Sequence, residues 1–137
     1  MRFSVSEYVR WEDIDAAGII NYQAYLRFFG LAEAELFRSC GLSYKELFDE
    51  VGVWLPRVHV ECDFMQPVTL DELLVVEAYF GKIGTSSITS SCSGSATTNT
   101  CQQPRPNRVG MAVSLRHALW GVGPGFCSAF AGTGVWA

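Results

Sequence analysis

Apolar and polar positions alternate at the start of the chain. Phe3, Val5, Val9 and Trp11 interleave with Arg2, Ser4, Tyr8 and Arg10, broken only at Glu7. A period of two predicts a half-buried strand. After Asn21 the period changes. Leu26, Phe29, Leu36 and Cys40 recur at helical spacing from Tyr22 onward, with Tyr25, Phe28, Ala32 and Ala34 beside them. That predicts a long helix with a broad, largely buried face, capped by Asn21 and stopped by Gly41. Ser43 and Glu46 have the spacing of a capping box and predict a short helix ending near Glu50. Val58, Val60, Cys62 and Phe64 then alternate with His59, Glu61, Asp63 and Met65, the cleanest strand pattern in the chain. A bend follows at Gln66-Pro67 and Thr69, and Leu73 to Phe80 is apolar enough for a central strand. A strand, a long helix, a short helix and further strands in this order predict an α+β domain.

Beyond Gly84 the pattern decays. Residues 84–100 hold eleven Ser or Thr and one large aliphatic, Ile88. Gln102 to Arg108 reads as a loop. Val109, Met111, Val113, Leu115 and Leu119 alternate and predict one more strand, and the last seventeen residues are rich in Gly, Ala and aromatics without a period.

The charges break at the same place. Residues 1–83 carry seven basic and fourteen acidic side chains, whereas residues 84–137 carry three arginines and no acid. The overall net charge of −4 disfavours nucleic acid as a partner. With 49% hydrophobic residues in a chain of 137, one globular domain over residues 1–137 is expected, atypical from residue 89 on. No apolar run reaches membrane-spanning length and no leader pattern opens the chain, so a cytoplasmic protein is expected. Five cysteines lie far apart without a C-x-x-C pair, and Cys40 and Cys62 sit in apolar patterns as core thiols. His59 has no partners at ligand spacing, so no metal is expected.

The chemistry concentrates in Trp11-Glu12-Asp13-Ile14-Asp15-Ala16-Ala17-Gly18-Ile19-Ile20-Asn21-Tyr22. Three carboxylates precede a small, flexible turn and then the start of the long helix. A carboxylate just before a helix N-terminus faces free backbone N–H groups and the positive end of the helix dipole, which suits a nucleophile or base beside an oxyanion site.

From Asp13 to Tyr22, continuing through Tyr25-Leu26-Arg27-Phe28-Phe29, Cys40-Gly41-Leu42 and Phe64 with Pro67, the chain resembles the 4-hydroxybenzoyl-CoA thioesterase family. The resemblance covers about residues 5–88 and fades near Ser87-Ile88. It implies a hot-dog fold, a long central helix wrapped by an antiparallel sheet, and a homodimer or homotetramer with sites at the subunit interface. It implies hydrolysis of an acyl-CoA thioester to a free acid and CoA, with coenzyme A as part of the substrate and no other cofactor. Asp15 matches the catalytic aspartate, as nucleophile or general base, and the Tyr22 backbone N–H matches the oxyanion donor. Gly18 would let the loop backbone approach the substrate. Several branches carry a histidine where this chain has Tyr22, which leaves Asp15 as the ionisable catalytic group. Asp13 and Glu12 read as structural or solvated.

Other candidates are weaker in pattern. Arg57 and Lys82 could meet coenzyme A phosphates, and Tyr25 and Trp54 could line the acyl pocket or the interface. The alternative to an enzyme is a non-catalytic hot-dog protein that binds acyl or aromatic thioesters. A carrier-linked dehydratase needs a pocket histidine, and neither His59 nor His117 has a matching context.

Relatives continue with two charged, alternating strands over roughly residues 86–120. Here the acids vanish, which leaves two origins open: a divergent tail, or a reading-frame change near codons 88–92. In the second case Met111-Ala112, coded ATG-GCN, would read as Gly in the frame two bases on, after a codon that can be Asp. A foreign tail would compromise two strands and strip part of the helix of its cover.

Overall fold

A computed structural model describes residues 2–97 and 108–118. Its strands are β1 (Arg2–Tyr8), β2 (Arg57–Phe64), β3 (Leu73–Ile83), β4 (Ser87–Thr97) and β5 (Arg108–Ala118). Its helices are α1 (Tyr22–Ser39) and α2 (Tyr44–Asp49), and Trp11–Asp13 form a 3-10 turn. The five strands make one antiparallel sheet in the order β1-β3-β4-β5-β2, with α1 lying across it. This is the expected α+β arrangement.

The local rules act where the sequence places them. Asn21 caps α1, its side chain accepting from Ala24 N–H at 2.9 Å. Ser43 and Glu46 form the reciprocal capping box of α2. One face of α1, including Ala24, Phe28, Phe29, Ala32 and Leu36, is 6% exposed or less. It packs on Leu74, Val76 and Ala78 of β3 and on Cys92 and Ala96 of β4. Full burial stabilises each large apolar side chain by roughly 1.5–3 kcal/mol, so this face holds the helix to the sheet. Among the described residues no helix is long and apolar enough to cross a membrane.

The two strands that a foreign tail would compromise are both formed. β4 pairs along both edges, with β3 and with β5, and the helix keeps its cover. The reason is size. The β4 positions that face α1 are Ile88, Ser90, Cys92, Gly94 and Ala96, all buried and mostly small, which leaves room for the helix's aromatic rings. The remaining hydroxyl residues take the other face, where Thr and Ser are tolerated. The loop expected at Gln102 to Arg108 and the irregular last seventeen residues lie almost wholly outside the described residues.

Two smaller corrections concern single elements. The first strand ends at Tyr8 instead of running through Trp11, because the backbone turns at Arg10, whose N–H donates to Asp13 Oδ2 at 3.0 Å; Trp11 is consequently 81% exposed. The alternation of β2 does not produce a buried face. Val58, Val60 and Phe64 are 54%, 45% and 57% exposed, because β2 is an edge strand lying only partly under α1. Cys40 is buried and Cys62 half-buried against the core, as their apolar settings implied.

Candidate active site

The carboxylate loop is a closed structure. Asp13 is 2% exposed and works as its clamp. Its side chain accepts from Arg10 N–H at 3.0 Å and from the Arg27 guanidinium at 2.7 Å. Its carbonyl accepts from Asn21 N–H at 2.8 Å and from Asn21 Nδ2 at 2.9 Å. Asn21 thus caps the helix with its side-chain oxygen and ties the helix start back to Asp13 with its nitrogen. Ile14 and Ile20 bridge across the loop, and Asp15 N–H donates to Ile19 O at 2.9 Å.

Asp15 sits at the turn of this small hairpin. Its Oδ1 accepts from Ala17 N–H at 2.8 Å and its carbonyl accepts from Gly18 N–H at 3.0 Å. Among the described residues Oδ2 has no hydrogen-bond partner. Gly18 has φ +75°, a left-handed conformation that disfavours any side chain. A Cβ there would meet nothing within 4 Å, so the glycine serves backbone geometry rather than space within this chain.

Asp15 and Tyr22 line one cleft of about 500 Å³ together with Ile19, Ile20, Tyr25, Phe64, Met65, Gln66 and Pro67. The first N–H groups of α1 have no partner inside the helix, and its 18 residues give a full macrodipole at this end. The cleft therefore combines a carboxylate, the first residue of the helix and an apolar wall. Tyr25 is 3% exposed, its ring 5.6 Å from that of Phe64. Burial, then the nearby Cys62 and Glu72, push its phenol up to about 12, so it stays neutral in the cleft wall.

Of the residues expected at the site, the structure brings Asp15, Tyr22 and Tyr25 to the cleft, with Gly18 in the loop that shapes it. Trp54, Arg57 and Lys82 do not line the cleft within this chain. Trp54 stacks on Phe48 at 4.9 Å, Arg57 is tied to Glu33, and Lys82 is exposed near the end of β3. Phe64, Met65 and Gln66 join the wall without having been singled out as lining residues; their signals were the end of a strand before the Gln66-Pro67 bend and, for Phe64, its place in the resemblance.

A second polar cluster also escaped the sequence reading. Glu33 is fully buried in α1. Its carboxylate accepts from Arg57 at 2.8 Å, from Tyr44 O–H at 3.0 Å, from Ser90 O–H, and meets His117 Nε2 at 2.7 Å. His117 Nδ1 lies 3.2 Å from Leu55 O. Both His117 ring nitrogens therefore face hydrogen-bond acceptors. Burial pushes the Glu33 carboxyl up. The His117 hydrogen bond and charge, then the Arg57 and Ser90 hydrogen bonds, outweigh it and bring the carboxyl down to about 2. An acid amid Phe29, Ala32 and Leu36 was the available signal, since a buried charge demands partners.

Comparisons with known proteins place this geometry. The profile of the Thioesterase-like superfamily matches residues 9–94. A 1,4-dihydroxy-2-naphthoyl-CoA hydrolase of Nostoc punctiforme is 30% identical over 84 residues, 61% of this chain and 57% of that protein. The acyl-CoA thioesterase YbgC of Haemophilus influenzae is 30% identical over 81 residues, 59% of this chain and 60% of that protein. The chain thus matches less than two thirds of the length of these curated relatives. Among solved structures, 4-hydroxybenzoyl-CoA thioesterase from Pseudomonas sp. strain CBS-3 superposes with a TM-score of 0.77 at 22% identity, covering 86% of this chain and 84% of that one. The hot-dog fold likeness covers 86% of this chain, whereas the family profile ends at residue 94, within β4.

Proposed function

Because the chain belongs to the thioesterase-like superfamily, we propose that the Asp15 cleft hydrolyses an acyl-coenzyme A thioester to the free acid and coenzyme A. The observation that carries this reading is the meeting of Asp15 with the N-terminus of α1 in one apolar cleft. Asp15 acts as nucleophile on the thioester carbonyl or as general base for water. The Tyr22 N–H, at the first position of the helix, donates to the carbonyl oxygen as it gains negative charge. One such donor contributes about 3–4 kcal/mol to the transition state. The Asp13 clamp and the Asn21 cap fix the loop against the helix so that carboxylate and donor keep their spacing.

The aromatic wall of Tyr22, Tyr25 and Phe64 favours a flat acyl group. The names of the relatives that act on naphthoyl and hydroxybenzoyl thioesters agree with that choice. A homodimer or homotetramer, with a cytoplasmic location, completes the reading; among the described residues the outer edge of β2 is unpaired and Val58, Val60 and Phe64 are exposed. The test is thiol release from a panel of aromatic and aliphatic acyl-CoA thioesters. Asp15→Asn should lower turnover by about 100-fold or more with the fold unchanged by circular dichroism. Wild-type turnover in that variant overturns the mechanism, and thioester binding without turnover in the native chain overturns the activity.

A further inference from the structure

We propose that Gln66 is a specificity residue that recognises the pantetheine arm of the substrate, its side-chain amide bonding the amide that follows the thioester sulfur. The placement rests on the reading of the Asp15 cleft as a thioester site. Four residues bring polar side chains to that cleft: Asp15, Tyr22, Tyr25 and Gln66. The first three have other engagements. Asp15 Oδ1 accepts from Ala17 N–H, the Tyr22 hydroxyl accepts from Gln23 Nε2 at 3.3 Å, and the Tyr25 hydroxyl bonds the backbone of Val68. Gln66 is exposed, and among the described residues its amide has no hydrogen-bond partner. A primary amide offers a donor and an acceptor on one planar group.

The position of Gln66 is fixed from its C-terminal side. Pro67 restricts the backbone before it to extended conformations. Val68 is buried, and its carbonyl accepts from Ile20 N–H at 2.9 Å. Ile20 stands two residues before Tyr22, so this bond ties the rim that carries Gln66 to the segment that carries Asp15 and opens α1.

Burial sets the direction of the substrate. Ile20 and Tyr25 are 4% and 3% exposed and form the floor of the cleft. Phe64 and Met65 are 57% and 52% exposed and form its rim beside Gln66. With the thioester carbonyl between Asp15 and the Tyr22 N–H, an apolar acyl group takes the buried floor. The thiol arm then leaves over the rim. In coenzyme A the first hydrogen-bonding group along that arm is a secondary amide, separated from the sulfur by two methylenes. Its N–H and C=O point to opposite sides, so Gln66 makes one of two bonds. Either its oxygen accepts from the N–H, or its nitrogen donates to the C=O. The contact favours thioesters that carry this amide over plain alkyl thioesters.

Two substrates isolate the contact. The benzoyl thioester of N-acetylcysteamine carries the amide, and S-pentyl thiobenzoate has a chain of the same length without it. Gln66→Leu should lower kcat/KM for the first by about 3–10-fold, the net effect of one hydrogen bond, and leave the second within about two-fold. Comparing native and variant chains on each substrate cancels the difference in reactivity between the two thiols. Equal effects on both substrates, or none on either, overturn the contact and leave the thioesterase reading standing. Phenacyl-coenzyme A, a thioether with no thioester to hydrolyse, reads the contact without turnover. Its Kd should rise by about the same factor in Gln66→Leu, and an unchanged Kd overturns the contact. A native chain that binds this analogue but hydrolyses neither thioester overturns the thioesterase reading alone, and one that does not bind it overturns both.

Discussion

Glu33→Gln should destabilise the fold severely although the side chains are nearly identical in shape. The carboxylate is fully buried and holds Arg57, Tyr44, Ser90 and His117, which come from β2, α2, β4 and β5. An amide keeps one acceptor oxygen, turns its other end into a donor that faces donors, and leaves Arg57 without its counter-charge. Breaking a buried ion pair from one side costs about 3–5 kcal/mol. The pH dependence gives an independent magnitude. The Glu33 carboxyl falls from 4.5 to about 2 on folding. Its contribution is therefore fully present above pH 4.5 and is lost as pH falls from 4.5 toward 2. The shift corresponds to about 3 kcal/mol. Urea unfolding at neutral pH should show a lower midpoint at an unchanged slope. A series from pH 6 to pH 2.5 should show the wild-type advantage shrinking toward zero. Equal midpoints at neutral pH, or a parallel loss of stability in both proteins on acidification, would refute the argument. Glu35→Gln is the control, since among the described residues Glu35 pairs with Arg38 alone, at the surface of α1.

Two further substitutions probe the loop. Asn21→Ala removes both the helix cap and the Nδ2 bond to Asp13 O, so it should cost about 1–2 kcal/mol in thermal or urea unfolding, and it should lower kcat more than it raises KM. Gly18→Ala meets no steric obstacle but must hold φ +75°, so it should cost about 1–2 kcal/mol, and no loss of stability would show that the turn relaxes freely.

The elements that could be read from the sequence are those set by neighbours in the chain. The period-two runs of β1 and β2, the helical face of α1, the Asn21 cap, the Ser43–Glu46 box and the Gly41 stop all depend on contacts within a few residues. The Asp15 loop was legible for the same reason, because its carboxylate, glycine and helix start are consecutive. Tertiary structure decided the rest. The serine-rich β4 shows no clear apolar pattern in the sequence, and the bulk of the rings on α1 explains why its small residues fit. The alternation of β2 gave the strand but not its burial, because burial depends on where the sheet ends. The resemblance already told Asp15 from Asp13, and the fold supplies the physical difference: Arg27, fourteen positions away, claims Asp13, while Asp15 lines the cleft. Glu33 and His117 stand 84 positions apart. A charge inside a helix's apolar face announces that it needs partners, but only the packed sheet supplies them.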